Sequence, residues 1–108
     1  FQALETKPRI LLCRPVPLFR DRGKQPWDTD RVLREQILVR IDEVARAANL
    51  PLLDLHATFG QQSALMPDGV HPDARGAALM ARTIYAALTG RAAPAPAPST
   101  PTPAASAP

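Results

Sequence analysis

A carboxylate and an imidazole stand three residues apart in the segment Met66-Pro67-Asp68-Gly69-Val70-His71-Pro72-Asp73. Gly69 lets the backbone turn between them, so the Asp68 carboxylate can curl back and accept a hydrogen bond from His71 Nδ1. A carboxylate in that place fixes the imidazole tautomer and stabilises the imidazolium formed when the ring takes a proton. His71 Nε2 then stays free to accept a proton from a hydroxyl, the base step of nucleophilic acyl transfer. Two other readings fit the same residues. One is a turn that caps the next helix, with His71 merely packed. The other is a metal site of Asp68, His71 and Asp73, ligand types that suit zinc or harder cations. The spacing matches no compact metal motif well, and neither a metal nor another cofactor is expected. Asp73 is expected as the N-cap of the helix that follows.

These residues need elements to hold them. Arg9 to Cys13 (Arg-Ile-Leu-Leu-Cys) is a short apolar run with proline on both sides. A continuous apolar run without alternation suits a strand buried on both faces, as in a parallel sheet. Pro15 and Pro17 stop it and open a long loop through Phe19, Gly23, Pro26 and Trp27. Asp28, Thr29 and Asp30 then offer N-cap oxygens. Leu33, Ile37, Ile41, Val44 and Ala48 recur at steps of four, four, three and four, which predicts one apolar helix stripe. Asn49 and Pro51 end that helix. Leu50 to Leu55 reads as a second strand, and His56 to Pro72 as the loop leaving its end. A last helix is expected from about Asp73 to Leu88, with Gly76, Met80, Ile84 and Ala87 on one stripe and Gly90 closing it.

The order strand, helix, strand, helix makes this an α/β chain with parallel crossovers. Ligands of such sheets collect beyond the carboxyl ends of the strands, where the Asp68 loop leaves. Two strands do not make a stable doubly wound sheet alone. The missing strands are therefore expected upstream, and the start at Phe1 suits a processed or truncated chain.

Residues 1–90 read as one domain or part of one. From Ala92 to Pro108 only Ala, Pro, Ser and Thr occur, with no large apolar side chain to offset the entropy of ordering them. Residues 91–108 are thus expected to be a disordered, semi-stiff linker or tail. Net charge is +3, and thirteen basic and ten acidic side chains lie interspersed rather than clustered. Nucleic acid is not the expected partner. No apolar run is long enough to span a bilayer. The single Cys13 allows no internal disulfide and reads as a small buried hydrophobe. His56 reads as a supporting or surface histidine, or as one lining the cleft. Trp27 stands in the loop on the substrate side, where its ring either stacks on a sugar or packs against the helix start.

Asp-Gly-Val-His-Pro-Asp-Ala-Arg-Gly-Ala-Ala-Leu-Met-Ala (68–81) resembles the last block of SGNH hydrolases, the GDSL esterase and lipase superfamily. The Leu-Pro-Leu-Leu-Asp-Leu strand and the Arg-Ile-Leu-Leu-Cys-Arg-Pro-Val-Pro segment resemble earlier elements of that family in the same order. The likeness runs from Lys7 to Gly90. It implies a three-layer α/β/α, flavodoxin-like fold of which only the C-terminal half is present. It also implies a Ser-His-Asp mechanism with Asp68 as the acid and His71 as the base. The family's nucleophile lies in a Gly-Asp-Ser block, with Gly and Asn completing the oxyanion hole. Here Ser63, Ser99 and Ser106 stand in no such context, so the serine is expected upstream and the chain alone is expected to be inactive. The turn Leu-Cys-x-Pro-x-Pro and the strand end Asp-Leu-His are most similar to sialate O-acetylesterase-like and acetylxylan esterase-like members. That similarity implies a carbohydrate ester substrate. The Ala/Pro/Ser/Thr tail resembles linkers to carbohydrate-binding modules, which implies a secreted enzyme. The competing expectation is a non-catalytic α/β interaction or binding module whose Asp-Gly-Val-His loop is structural.

Overall fold

The computed structural model describes residues 1–19 and 29–95. Trp27 lies outside the described residues, as do Asp28 and residues 96–108 of the expected tail. Two short strands, β1 (Leu12–Arg14) and β2 (Leu52–Asp54), pair in parallel with Leu12 opposite Leu52 and Arg14 opposite Asp54. Between them run helices α1 (Asp30–Val32) and α2 (Leu38–Ala47), joined by a π turn over Leu33–Ile37. Helix α3 (Leu55–Phe59) follows β2 at once, then a 3-10 turn (Ser63–Leu65) and helix α4 (Ala74–Thr89). The chain is α/β, with a two-stranded parallel sheet and helices as its described architecture.

The strands are shorter than the apolar runs predicted, and they are not buried on both faces. Every residue of β1 is half-buried, and Leu52 of β2 is exposed. Cys13 is likewise half-buried rather than buried. The sheet is tied to α2 by Arg14. Its Nε donates to Asp42 Oδ1 at 2.8 Å, and Nη1 donates to Asp54 Oδ2 on the neighbouring strand, also at 2.8 Å.

Thr29, one of the residues expected there, caps α1, its Oγ1 accepting from the Val32 amide. The expected apolar stripe is broken by the π turn, in which the Leu38 amide donates to Leu33 O five residues back. The wider turn aligns Leu33 with Leu38, and both are buried, with Ala45 further along the same face. Ile37 and Val44, predicted on the buried stripe, are instead 45% and 56% exposed. With Leu12, Ile41 and the stems of Gln36 and Arg40 they line an open apolar groove of about 300 Å3. Helix α2 ends as expected at Asn49, which takes a positive φ of 52°. The Asn49 and Leu50 amides bond back to Arg46 O and Ala45 O, closing the helix end.

The sequence predicts strand to Leu55 and loop from His56, where the structure has helix α3. Asp54, assigned there to strand alone, accepts the Ala57 amide on Oδ1 at 2.9 Å and so caps the new helix. Leu55 and Phe59, four residues apart, then face inward, and Phe59 is fully buried. Together with Met66, 2% exposed, it anchors the segment that carries Asp68 and His71. Burying such side chains contributes roughly 1.5–3 kcal/mol each.

Helix α4 starts one residue after its cap, as expected. Asp73 Oδ1 accepts the Arg75 and Gly76 amides, both at 3.0 Å. Gly76 is where the helix meets the preceding turn. A Cβ there would stand 2.8 Å from Leu65 O and 2.9 Å from Pro72 Cβ. Gly76→Ala is expected to destabilise the fold by about 1–3 kcal/mol through this overpacking. The measurement is a urea midpoint, and a midpoint equal to that of the parent chain would contradict the close approach.

Candidate active site

The residues after Met66 turn sharply because Gly69 adopts φ 80°, a conformation that a Cβ would strain. Asp68 uses that turn to hold its own loop. Its Oδ1 accepts the Val70 amide at 2.8 Å and the His71 amide at 2.6 Å. Its Oδ2 lies 2.6 Å from His71 Nδ1. The His71 and Val70 amides and the imidazole all favour the charged carboxylate, and they hold Asp68 well below the ordinary carboxylate range. An ionised carboxylate only accepts, so His71 Nδ1 carries the proton that it donates to Asp68. In the neutral ring Nε2 is then the lone-pair nitrogen. Among the described residues it has no hydrogen-bond partner. The His71 side chain is 74% exposed and that of Asp68 48%.

Four hydrogen bonds anchor the loop. The Gly69 amide donates to Met66 O at 2.8 Å, and the Asp73 amide donates to Leu65 O at 2.8 Å. Arg75 reaches from α4 to Ala64 O, also at 2.8 Å. The fourth comes from the segment after β1. The Phe19 amide donates to Gly69 O at 2.9 Å, which brings the Asp68 loop to the segment leaving the carboxyl end of β1. This is the region where ligands gather in open α/β sheets. A pocket of about 420 Å3 opens there, lined by Phe19, Ser63, Met66, Pro67, Asp68 and Gly69.

The sequence-predicted residues separate clearly. Asp68 and His71 are brought together. Asp73 is not part of their cluster, because Oδ1 caps α4 and Oδ2 accepts from Arg75 Nη2 at 2.8 Å. Among the described residues no three His, Cys, Asp or Glu side chains converge as metal ligands. Ser63 lines the pocket beside Asp68, but no hydrogen bond among the described residues joins its hydroxyl to His71. His56 is the residue with more to say than its sequence context indicated. Only 19% of its side chain is exposed, and its Nε2 lies 3.0 Å from Asp30 Oδ1. That pairing spans 26 residues, beyond the reach of any local spacing rule.

The chain matches no family model and no solved structure. Over 83 residues it is 39% identical to a protein named acetylxylan esterase from Xylanibacter ruminicola. That stretch covers 75% of this chain but only 16% of the relative. The chain therefore contains an esterase-related region and spans a small fraction of the relative's length. Among the described residues no helix is long and apolar enough to cross a membrane.

Proposed function

We propose that this chain is the C-terminal part of a serine esterase of SGNH type, acting on carbohydrate O-acetyl esters, with the nucleophile supplied by another part of the whole protein. The carrying observation is the contact of 2.6 Å between Asp68 Oδ2 and His71 Nδ1 on an exposed imidazole. A three-layer α/β/α fold belongs to the same proposal. The exposed apolar groove between β1 and α2 supports it, because such a surface is ordinarily covered by further chain. The relation to a much longer esterase supports it as well.

In this reading a serine hydroxyl is held beside His71. As its oxygen attacks the ester carbonyl, the hydroxyl proton passes to His71 Nε2, and Asp68 stabilises the imidazolium. His71 then protonates the departing sugar oxygen, leaving an acyl-enzyme. Water attacks the acyl carbon and gives a proton to His71, which passes it to the serine oxygen as the acid is released. Donors aimed at the carbonyl oxygen are required for the oxyanion and belong, like the serine, to the rest of the protein. Trp27 is the proposed sugar contact. A polymeric acetylated glycan is too large to cross a membrane unaided, which supports an extracellular setting. The Ala/Pro/Ser/Thr tail fits a spacer toward a carbohydrate-binding module.

The test uses the complete reading frame that contains this chain. Short-chain 4-nitrophenyl esters and an acetylated xylan are assayed with and without a serine-directed phosphonate. Turnover that the phosphonate abolishes, with one label per molecule, is the expected result. Absence of phosphonate-sensitive turnover would assign the chain to the non-catalytic binding module instead.

A further inference from the structure

A second acid–imidazole pair stands beside the first and is wired to it. Asp30, in the first turn of α1, gathers three donors. The Leu18 amide donates to Oδ1 at 2.9 Å, His56 Nε2 lies 3.0 Å from the same oxygen, and Arg34 Nε donates to Oδ2 at 2.9 Å. Partial burial opposes the Asp30 charge, yet the Leu18 amide, His56 and Arg34 together hold it below its ordinary range. The carboxylate therefore accepts, and His56 presents Nε2–H to it. This is the opposite tautomer to that of His71, so the His56 nitrogen that meets Asp30 has no lone pair to offer as a base.

Leu18 is followed by Phe19, whose amide donates to Gly69 O at 2.9 Å. Gly69 sits between Asp68 and His71. A continuous path thus runs from His56 on α3, through Asp30 on α1, to the 18–19 backbone, and from there to the turn that sets the Asp68–His71 geometry. The path starts on a helix, α3, which is anchored by the fully buried Phe59. Phe19 also forms the wall between two cavities. One is the pocket of about 420 Å3 beside Asp68, and the other is a cavity of about 330 Å3 lined by Leu18, Phe19, Asp30 and His56.

Resting on the esterase reading, we propose that His56 and Asp30 are positioning residues, which hold the Leu18–Phe19 segment and through it the turn that aims His71. They touch no reacting atom. Their removal lets the Asp68 loop move without abolishing the chemistry, because the Asp68–His71 contact is made within the loop itself.

The complete protein is compared with Asp30→Ala, His56→Ala, His56→Gln and His71→Ala. Glutamine places an amide donor near the position of histidine Nε2, so it keeps the bond to Asp30. In the two alanine variants kcat per phosphonate-titrated site is expected to fall about tenfold with KM within about twofold. His56→Gln is expected to recover most of that loss. A second readout does not pass through catalysis: deuterium uptake by the 66–72 peptide is expected to accelerate in both alanine variants and to return toward wild type in His56→Gln. Unchanged kcat and unchanged uptake in the alanine variants, or glutamine no better than alanine in both readouts, overturns the proposal. If His71→Ala turns over as fast as wild type, or nothing turns over, the esterase reading fails. Peptide uptake then decides the positioning role alone, with faster exchange supporting it and unchanged exchange overturning it.

Discussion

Replacing His71 by alanine in the complete protein is expected to lower kcat/KM for short-chain acyl esters by about ten-thousand-fold or more. The magnitude follows from what the ring does in the proposed mechanism. It takes the serine proton in one step and returns a proton to the leaving alcohol, so both half-reactions lose their proton carrier. KM is expected to change little, because the imidazole binds no part of the ground-state substrate strongly. Added imidazole should restore part of the rate by occupying the vacated space. Asp68 stays available as the counter-charge, because its amide and imidazole partners hold it well below the ordinary carboxylate range. Ester hydrolysis that survives unchanged in His71→Ala would remove the ring from the mechanism.

The local features of the site were legible in sequence because they are short-range. Asp68, Gly69 and His71 lie within four residues, and a carboxylate three positions before an imidazole can meet it with one glycine turn. Asp73 and Asn49 were legible for the same reason: each completes a helix end with its own neighbours. The helix between the strands was legible as a helix but not in its facing. Steps of four, four, three and four cannot reveal a π turn, and one added residue per turn rotated Ile37 and Val44 outward while Leu38 and Ala45 turned in. Helix α3 was hidden because Asp54 serves twice, as the last strand residue and as the cap of the next element.

The role of His56 was out of reach for a different reason. Its partner Asp30 is 26 residues away, and its effect on Gly69 passes through the backbone amides of Leu18 and Phe19. Backbone groups carry no residue identity, so a path made of them leaves no pattern in a single sequence. The same holds for Arg14, whose Asp42 and Asp54 partners come from a helix and a strand that only the fold brings together. A contact between neighbouring side chains can be read directly, whereas positioning through the main chain requires coordinates.

Asp68→Asn is expected to cost about a thousand- to ten-thousand-fold in kcat/KM, nearly as much as losing the imidazole. The substitution preserves shape. The asparagine oxygen can still accept the Val70 and His71 amides that Asp68 Oδ1 accepts now, at 2.8 Å and 2.6 Å. What changes is the atom facing His71 Nδ1, where an acceptor becomes an amide donor. The ring answers by moving its proton to Nε2, and the nitrogen that should receive the serine proton no longer has a lone pair. The imidazolium also loses its counter-charge. The stability effect has a defined sign. Asp68 titrates lower folded than unfolded, so its carboxylate stabilises the fold above its ordinary value of 3.8 and loses that effect as pH falls through the lower folded value. The urea midpoints of wild type and Asp68→Asn should therefore differ near neutrality, with wild type higher, and converge as the solution is acidified below 3.8. A wild-type rate in Asp68→Asn would mean that the contact orients nothing, and midpoints that diverge in acid would mean that the carboxylate is not held by the partners described.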